Sequence, residues 1–422
     1  GARARGAPLP NRGTSRPSSS SDPWREGFAP ACRFKGNAVK ITRVNAIPLN
    51  VPLKFRAGDV QRETSLSACY VEVETASGLV GHGLTAITEE EVISHAVNEV
   101  AGPALIGLDA MDHEAIWNKL YWLLCPRGQT GYGMHAVAAL DIALWDIKGK
   151  ALSQPIWKLL GGARATVPVY TTFGFGFLDR DALAESARAC VANGFTHLKM
   201  VVGHSGLQRR DEPRPLGDVV REDIARVRAV RAAAGAEAGL YIDANCSLDA
   251  FHANRLARAV VDCDIGFFEE PVTQNDVRAM ADLRQRTGIA VAAGQNEGLS
   301  FRFRDMLLAG AVDCVQPNVV ISGGFTQAVK IAGMAEAFNI AVANGGAFPL
   351  HNMHLHAGLA NGGRVEWHLV AVEMMRALYR DFPEPEQGWL ALPQAPGLGF
   401  EPDHDAIREL AKLPTSRGKG KG

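Results

Sequence analysis

The sequence predicts an α/β fold in which a (β/α)8-type barrel carries an α+β capping domain. Three observations lead there. Beyond Ala165, eight short apolar runs alternate with stretches of helical spacing that end in Gly or Asn-Gly, the pattern of a parallel sheet with crossover helices. Ahead of them stand strand-like segments and then helices, which suits a separate cap. A dinucleotide-type open sheet is disfavoured, because VPVYTTFGFGFLD contains GFG but no GxGxxG opening a helix.

Taken in order, residues 1–38 are rich in Pro, Ser, Gly and Arg without apolar periodicity and read as a disordered leader. Residues 39–165 form the predicted cap. In it ITRVNAIPL and ACYVEVETASGLVGHG read as strands, the second turning through Ala76, Ser77 and Gly78. Residues 88–160 read as helices, most clearly in MHAVAALDIALWDIKGKAL, whose apolar stripe leaves Asp141 and Asp146 in need of partners. The barrel is assigned to 166–370, with runs at 167–170, 197–202, 240–243, 267–270, 290–294, 314–318, 341–344 and 365–368. Residues 371–413 are assigned to a carboxyl-terminal segment and 414–422 to a disordered tail with nothing to pack.

With 422 residues, 47% of them hydrophobic, the chain can bury a large core. Lys+Arg at 44 against Asp+Glu at 45 leaves a formal net charge of -1, so no global field favours nucleic acid or an anionic membrane as partner. No apolar run approaches the length of a membrane span. Seven widely spaced cysteines form neither a CxxC pair nor a zinc pattern, and reduced thiols in a cytoplasm fit best.

The active site of a (β/α) barrel gathers side chains from the carboxyl ends of its strands. Asp243 closes the third run, Glu269 ends the fourth and Gln295 follows the fifth, evenly spaced and each one repeat from the last. Convergent hard oxygens from adjacent strands suit Mg2+. Any one acid after a strand is as readily a helix cap. The set weakens that reading, because Glu269 and Glu270 are adjacent carboxylates that repel unless a cation stands beside one of them.

The segments HAVAALDIALWDIKGKALSQPIWKLLGG, GFTHLKMVVG, YIDANCSL, FFEEPV, AAGQNEG and QPNVVISGGFTQ together resemble the mandelate racemase group of the enolase superfamily across roughly residues 40–410. The resemblance implies a cap to which residues 371–413 return. It also implies a Mg2+ ion that binds a substrate carboxylate and stabilises the enediolate formed when the neighbouring carbon loses a proton. Asp243 and Glu269 match the first two metal ligands, Lys199 matches the first lysine of K-x-K, and Glu366 matches an acid that hydrogen-bonds the substrate carboxylate.

Four positions depart from the family pattern. Val201 stands for the second lysine, Gln295 for the third metal carboxylate, with Glu297 as an alternative, and Asn318 and Asn344 stand for an Asp–His dyad. A base is still needed, and His351, His354 and His356 lie just beyond the seventh strand. His351, nearest the strand end, is the expected base, and His197, alternating with Lys199, is a weaker one. The loop 203–218, with Lys54 and Arg56 of the cap, is expected to contact a polyhydroxy acid. The expected activity is dehydration of an acid sugar, a small carboxylate, because elimination can run with one residue as base and then acid. The alternatives are a racemase or epimerase, and a non-catalytic barrel that binds metal or acid. A homo-oligomer is expected.

Overall fold

The computed structural model describes residues 39–416, apart from 58–59, 129 and 204–215. The expected leader, most of the 203–218 loop and residues 417–422 lie outside the described residues.

The cap opens with an antiparallel sheet of β1 (Ile41–Ala57), β2 (Val60–Thr75) and β3 (Val80–Ala86) in that order. β1 and β2 pair along a ladder from Ile41↔Thr75 to Ala57↔Val60, with one register shift between Ile41 and Arg43. That ladder carries both strands further than the apolar alternation in the sequence suggested. The long helix Tyr132–Ala151 packs on this sheet closely enough that a Cβ at Gly83 would lie 2.0 Å from the Ala139 carbonyl oxygen. Its two awkward aspartates find partners, Asp141 on one oxygen only. Asp146 takes the Leu398 N–H at 2.8 Å and Lys150 Nζ at 2.8 Å, and Asp141 takes the Thr326 N–H at 3.0 Å.

The barrel strands are β4 (Thr166–Gly174), β5 (His197–Val201), β6 (Gly239–Asp243), β7 (Ile265–Glu269), β8 (Val291–Ala293), β9 (Cys314–Val315), β10 (Ala341–Val342) and β11 (Val365–His368). They are parallel and adjacent in chain order from β4 to β10, and β11 returns beside β4. A helix follows each strand, as a right-handed (β/α) array requires. Among the described residues no ladder joins β10 to β11. Asn344 bridges that seam instead, donating its N–H to the Arg364 carbonyl at 2.9 Å and accepting the Glu366 N–H on Oδ1 at 3.0 Å. The interior is filled below the mouth by Tyr241 and Phe267, stacked 3.8 Å apart, and by Tyr170, edge-on to both.

Cap and barrel share one hydrophobic core, in which Leu49, Val51 and Tyr70 of the cap pack with Val169, Phe348 and Trp367 of the barrel. Polar contacts add direction: Trp117 Nε1 donates to the Gly323 carbonyl at 2.8 Å and Trp145 Nε1 to Thr326 Oγ1 at 2.9 Å. The carboxyl-terminal residues lie against the cap through Leu398 on Asp146 and the pairing of Ile156 N–H with the Gly397 carbonyl at 2.9 Å. The tail was expected to have nothing to pack, but Ser416 donates its N–H and hydroxyl to Glu90 at 2.6 and 2.9 Å. Glu90 is buried and needs those donors. Among the described residues no helix is long and apolar enough to cross a membrane.

Candidate active site

The carboxyl ends of β5, β6, β7 and β11 bring four of the sequence-identified residues together. Side chains alternate along a strand, and Lys199, Asp243, Glu269 and Glu366 all fall on the inward face. Lys199 Nζ lies 2.8 Å from Glu269 Oε2, 3.0 Å from Glu366 Oε1 and 3.2 Å from Asp243 Oδ2. All four side chains are buried. None of the three acids caps a helix. Asp243 Oδ1 takes the Asn245 N–H at 2.8 Å, which leaves Oδ2 to the cluster. Glu366 is held by the Thr172 hydroxyl on Oε1 and by the Ala347 N–H on Oε2 at 2.7 Å.

The electrostatics follow from this packing. Burial alone would pull the Lys199 ammonium down, but Glu269, Glu366 and Asp243 outweigh it and hold the group well above its usual range. Burial pushes the Glu269 carboxyl well up, reinforced by Asp243 and opposed by Lys199. Burial would raise Glu366 as well, yet Lys199, His368 and its two hydrogen-bond donors keep it below the ordinary carboxylate value. Glu270, also buried, is raised by burial and by Asp243. Its backbone φ of 40° breaks the strand alternation and turns its carboxylate toward Gln295 Nε2, 3.1 Å away. Three carboxylates thus surround one ammonium and a fourth, Glu270, stands near Asp243, an imbalance that calls for a further cation.

The donor set fits a hard dication, though not through three carboxylates. Among the described residues no trio of His, Cys, Asp and Glu is arranged to hold a metal. The candidate donors are Asp243, Glu269 and amide oxygens. Glu269 Oε1 and both amide atoms of Gln316 are buried without a hydrogen-bond partner. They border one space left open by Gly345, where a Cβ would lie 3.0 Å from Glu269 Oε1 and 2.9 Å from Gln316 Nε2. Gln295 Nε2 faces Asp243 Oδ2 at 3.4 Å, and reversal of that amide would turn its oxygen to the same point. Glu297 is placed otherwise. Its Oε2 accepts from Arg302 Nε at 3.1 Å and its Oε1 from Asn275 Nδ2 at 3.1 Å, so its charge is already matched.

His351 requires a correction. It lies in the helix Pro349–Gly358, every residue of which is buried, and its ring meets Tyr379 at 5.8 Å and Phe400 at 5.4 Å, in the core against the carboxyl-terminal segment. The charged or titratable neighbours acting on it are His82 and His354, not Lys199 or Glu366. Proximity in sequence to β10 placed it near the site, and the turn of the helix carried it away. His197 also stands apart from the cluster: its ring lies 5.8 Å from Tyr241, lower in the barrel, and its Nδ1 pairs with Thr196 Oγ1 at 2.9 Å. Lys54 of the cap pairs with Glu63 at 3.4 Å.

Asn318 and Asn344 serve the backbone. Asn318 Nδ2 donates to the Gly345 and Gly346 carbonyls at 2.7 and 3.0 Å, and its Oδ1 accepts from Asn352 Nδ2 at 2.9 Å. Asn344 Nδ2 donates to the Gly345 carbonyl at 2.9 Å, while its Oδ1 holds the seam. Two residues at the site escaped the sequence reading. Gln316 gave no signal beyond its place at the end of β9. His368 did, because it stands two residues after Glu366 on the same strand and so shares its face.

The geometry agrees with the family comparisons. The pattern described as "Mandelate racemase / muconate lactonizing enzyme, N-terminal domain" matches residues 38–161, and that described as "Enolase C-terminal domain-like" matches residues 182–406. The chain is 30% identical over 382 residues to the 3,6-anhydro-alpha-L-galactonate cycloisomerase of Streptomyces coelicolor, covering 88% of this chain and 99% of that relative. It is 32% identical over 363 residues to a D-galactonate dehydratase of Ralstonia nicotianae, covering 81% of this chain and 91% of the relative. A crystal structure of a racemase from Streptomyces coelicolor with bound magnesium superposes with a TM-score of 0.78 at 28% identity, covering 88% of this chain and 99% of that one. The chain belongs to the mandelate racemase / muconate lactonizing enzyme family, with an enolase-type carboxyl-terminal barrel.

Proposed function

We propose that the protein is a Mg2+-dependent acid-sugar dehydratase in which Lys199 is the residue that moves the proton. The observation that carries this reading is the convergence of Lys199, Asp243, Glu269 and Glu366 at four strand ends, with excess negative charge and an unpartnered Glu269 oxygen. Asp243 and Glu269, with amide oxygens from Gln295 or Gln316, would hold the ion. Bound there, Mg2+ supplies positive charge to a substrate carboxylate and so stabilises the enediolate. Relatives named as galactonate, arabinonate and rhamnonate dehydratases support the substrate class.

The chain's own residues account for the remaining steps. Glu366, fixed by Thr172 and Ala347, orients Lys199 and the substrate carboxylate. Lys199 Nζ in its amine form accepts the α-proton. It then returns that proton to the β-oxygen as the C–O bond breaks, so that water leaves and the resulting enol becomes a 2-keto-3-deoxy acid. In the arrangement described, three carboxylates hold Nζ as ammonium. Commitment of Asp243 and Glu269 to a dication would leave Glu366 as its carboxylate partner and bring the amine form within reach. One proton-moving residue suffices for elimination on a single face, whereas a racemase needs two groups on opposite faces. Asn318 and Asn344, engaged with backbone groups and with Asn352, supply no second one.

The test is a screen of mono- and diacid sugars with Mg2+, scored for 2-keto-3-deoxy acid. At least one substrate should turn over, and EDTA should abolish the reaction. Absence of product from the whole panel at saturating Mg2+ would contradict the assignment.

A further inference from the structure

One histidine at the mouth of the barrel is built unlike the others, and its role deepens the reading just proposed, on which it rests. His368 ends β11 two residues beyond Glu366 and is also the N-cap of the helix Leu369–Leu378. Its Nδ1 accepts the Ala371 N–H at 3.2 Å. An acceptor at Nδ1 fixes the tautomer: the neutral ring must carry its hydrogen on Nε2. The ring is braced at a 47° tilt by Phe175, 5.1 Å away at the end of β4. Its charged surroundings are Glu366, Lys199 and Asp243, so it borders the cluster.

The contrast with the buried histidines is informative. His82, His351, His354 and His356 each keep at least one ring nitrogen buried without a partner. His368 Nε2 has no partner among the described residues either, and the residue as a whole is half-buried rather than buried. A donor of fixed direction is therefore held open beside the Lys199–Glu366 pair by a cap on one side and an aromatic ring on the other.

We propose that His368 is a substrate-binding residue whose Nε2–H donates to an oxygen of the sugar acid. It acts in the neutral form as a donor. Use of Nε2 as a base would require the hydrogen to move to Nδ1, against the Ala371 N–H.

Two substitutions separate the two nitrogens. His368→Asn keeps an acceptor near the Nδ1 position, and asparagine is a favoured N-cap, but it has nothing at Nε2. His368→Gln places an N–H donor near the Nε2 position and gives up the cap geometry. Binding of D-galactonate, L-rhamnonate and galactarate is measured calorimetrically at saturating Mg2+, and Tm is measured in parallel without ligand. The expected pattern is crossed. Asn should leave Tm unchanged and weaken the best-bound acid about tenfold or more, the range of a hydrogen bond to a charged or strongly polar oxygen. Gln should lower Tm while binding within about threefold of the unmodified protein. If His368 only caps its helix, Asn will bind as the unmodified protein does, and that result overturns the proposal. If the unmodified protein binds none of the three acids, the dehydratase reading falls first, a failure distinct from equal binding by the Asn variant.

Discussion

Replacing Lys199 by methionine removes the one cation from a nest of buried carboxylates, and the structure sets the size of the effect. Three carboxylate oxygens lie 2.8 to 3.2 Å from Nζ. At an effective dielectric near 20, each contact represents about 5 kcal/mol of attraction, opposed by the cost of burying the ammonium. Removing one partner of a buried ion set typically costs about 3–5 kcal/mol, because the remaining charges are left uncompensated. For a chain of this length roughly 1 °C of Tm corresponds to each kcal/mol, so Lys199→Met should melt about 3–6 °C below the unmodified protein in EDTA. Mg2+ should then narrow the difference, since a dication on Asp243 and Glu269 restores the missing charge and stabilises by mass action. The assay is denaturant unfolding and thermal melting of both proteins, with EDTA and with millimolar Mg2+. Two results refute the reasoning: a variant as stable as the parent in EDTA, or a Mg2+ increment equal in the two proteins, which would mean that lysine and metal do not share those acids.

Three further outcomes follow from the same geometry. Burial lowers the His354 pKa to about 4. The unfolded chain, with its histidine near 6.5, then binds the extra proton between these values, so stability should fall by about 3 kcal/mol on that account as pH drops from 6.5 to 4. The raised carboxyls of Asp141 and Glu269 oppose this trend. The test is therefore His354→Gln, which keeps a donor toward the Leu398 carbonyl and should flatten the acid limb in urea titrations; an unaltered slope would exclude the assignment. Asn344→Ala leaves the Glu366 N–H without its partner at the β10–β11 seam, while the Gly345 carbonyl keeps Asn318 Nδ2, a loss of about 1–3 kcal/mol that denaturation at pH 7.5 will measure. A change under 0.5 kcal/mol would mean that the seam is held elsewhere. Glu297→Gln should leave the Mg2+ dissociation constant within about threefold, because Arg302 already matches that acid, whereas Asp243→Asn should weaken it at least about tenfold; calorimetry showing the reverse order would return Glu297 to the metal.

The barrel was legible because its signal is local and repeated. Each strand is a short apolar run closed by a turn, and the residues just past Ile242, Phe268 and Val365 are the acids that meet in space. Alternation along each strand was enough to place them. Positions that depend on helix phase or on broken alternation were not readable in the same way. All ten residues of Pro349–Gly358 are buried, so its pattern offered no polar face from which to tell that His351 turns toward Tyr379. Between Gln295 and Glu297 the chain leaves the strand through the turn that follows Gly294 (φ 129°), and spacing alone could not say which side chain faces Asp243. The duties of Asn344 and Asn318 are also invisible locally. At Asn344 the duty arises because β10 is two residues long and among the described residues no ladder joins it to β11, so a side-chain amide takes the Glu366 N–H. His368 was readable by the same alternation that located Glu366, because it stands two residues further along the same strand.

If Lys199 exchanges a proton with the carbon next to a carboxylate, α-hydrogen exchange in D2O reads that step itself. Acid sugars that bind at saturating Mg2+ are incubated with the unmodified protein and with Lys199→Met, and loss of the C2 proton signal is followed by NMR beside product formation. Deuterium incorporation or 2-keto-3-deoxy product is expected with the unmodified protein for at least one sugar acid. Neither is expected with Lys199→Met, even where calorimetry shows that the variant still binds Mg2+ and the acid. Undiminished exchange in the Lys199→Met variant would exclude Lys199 as the residue that moves the proton.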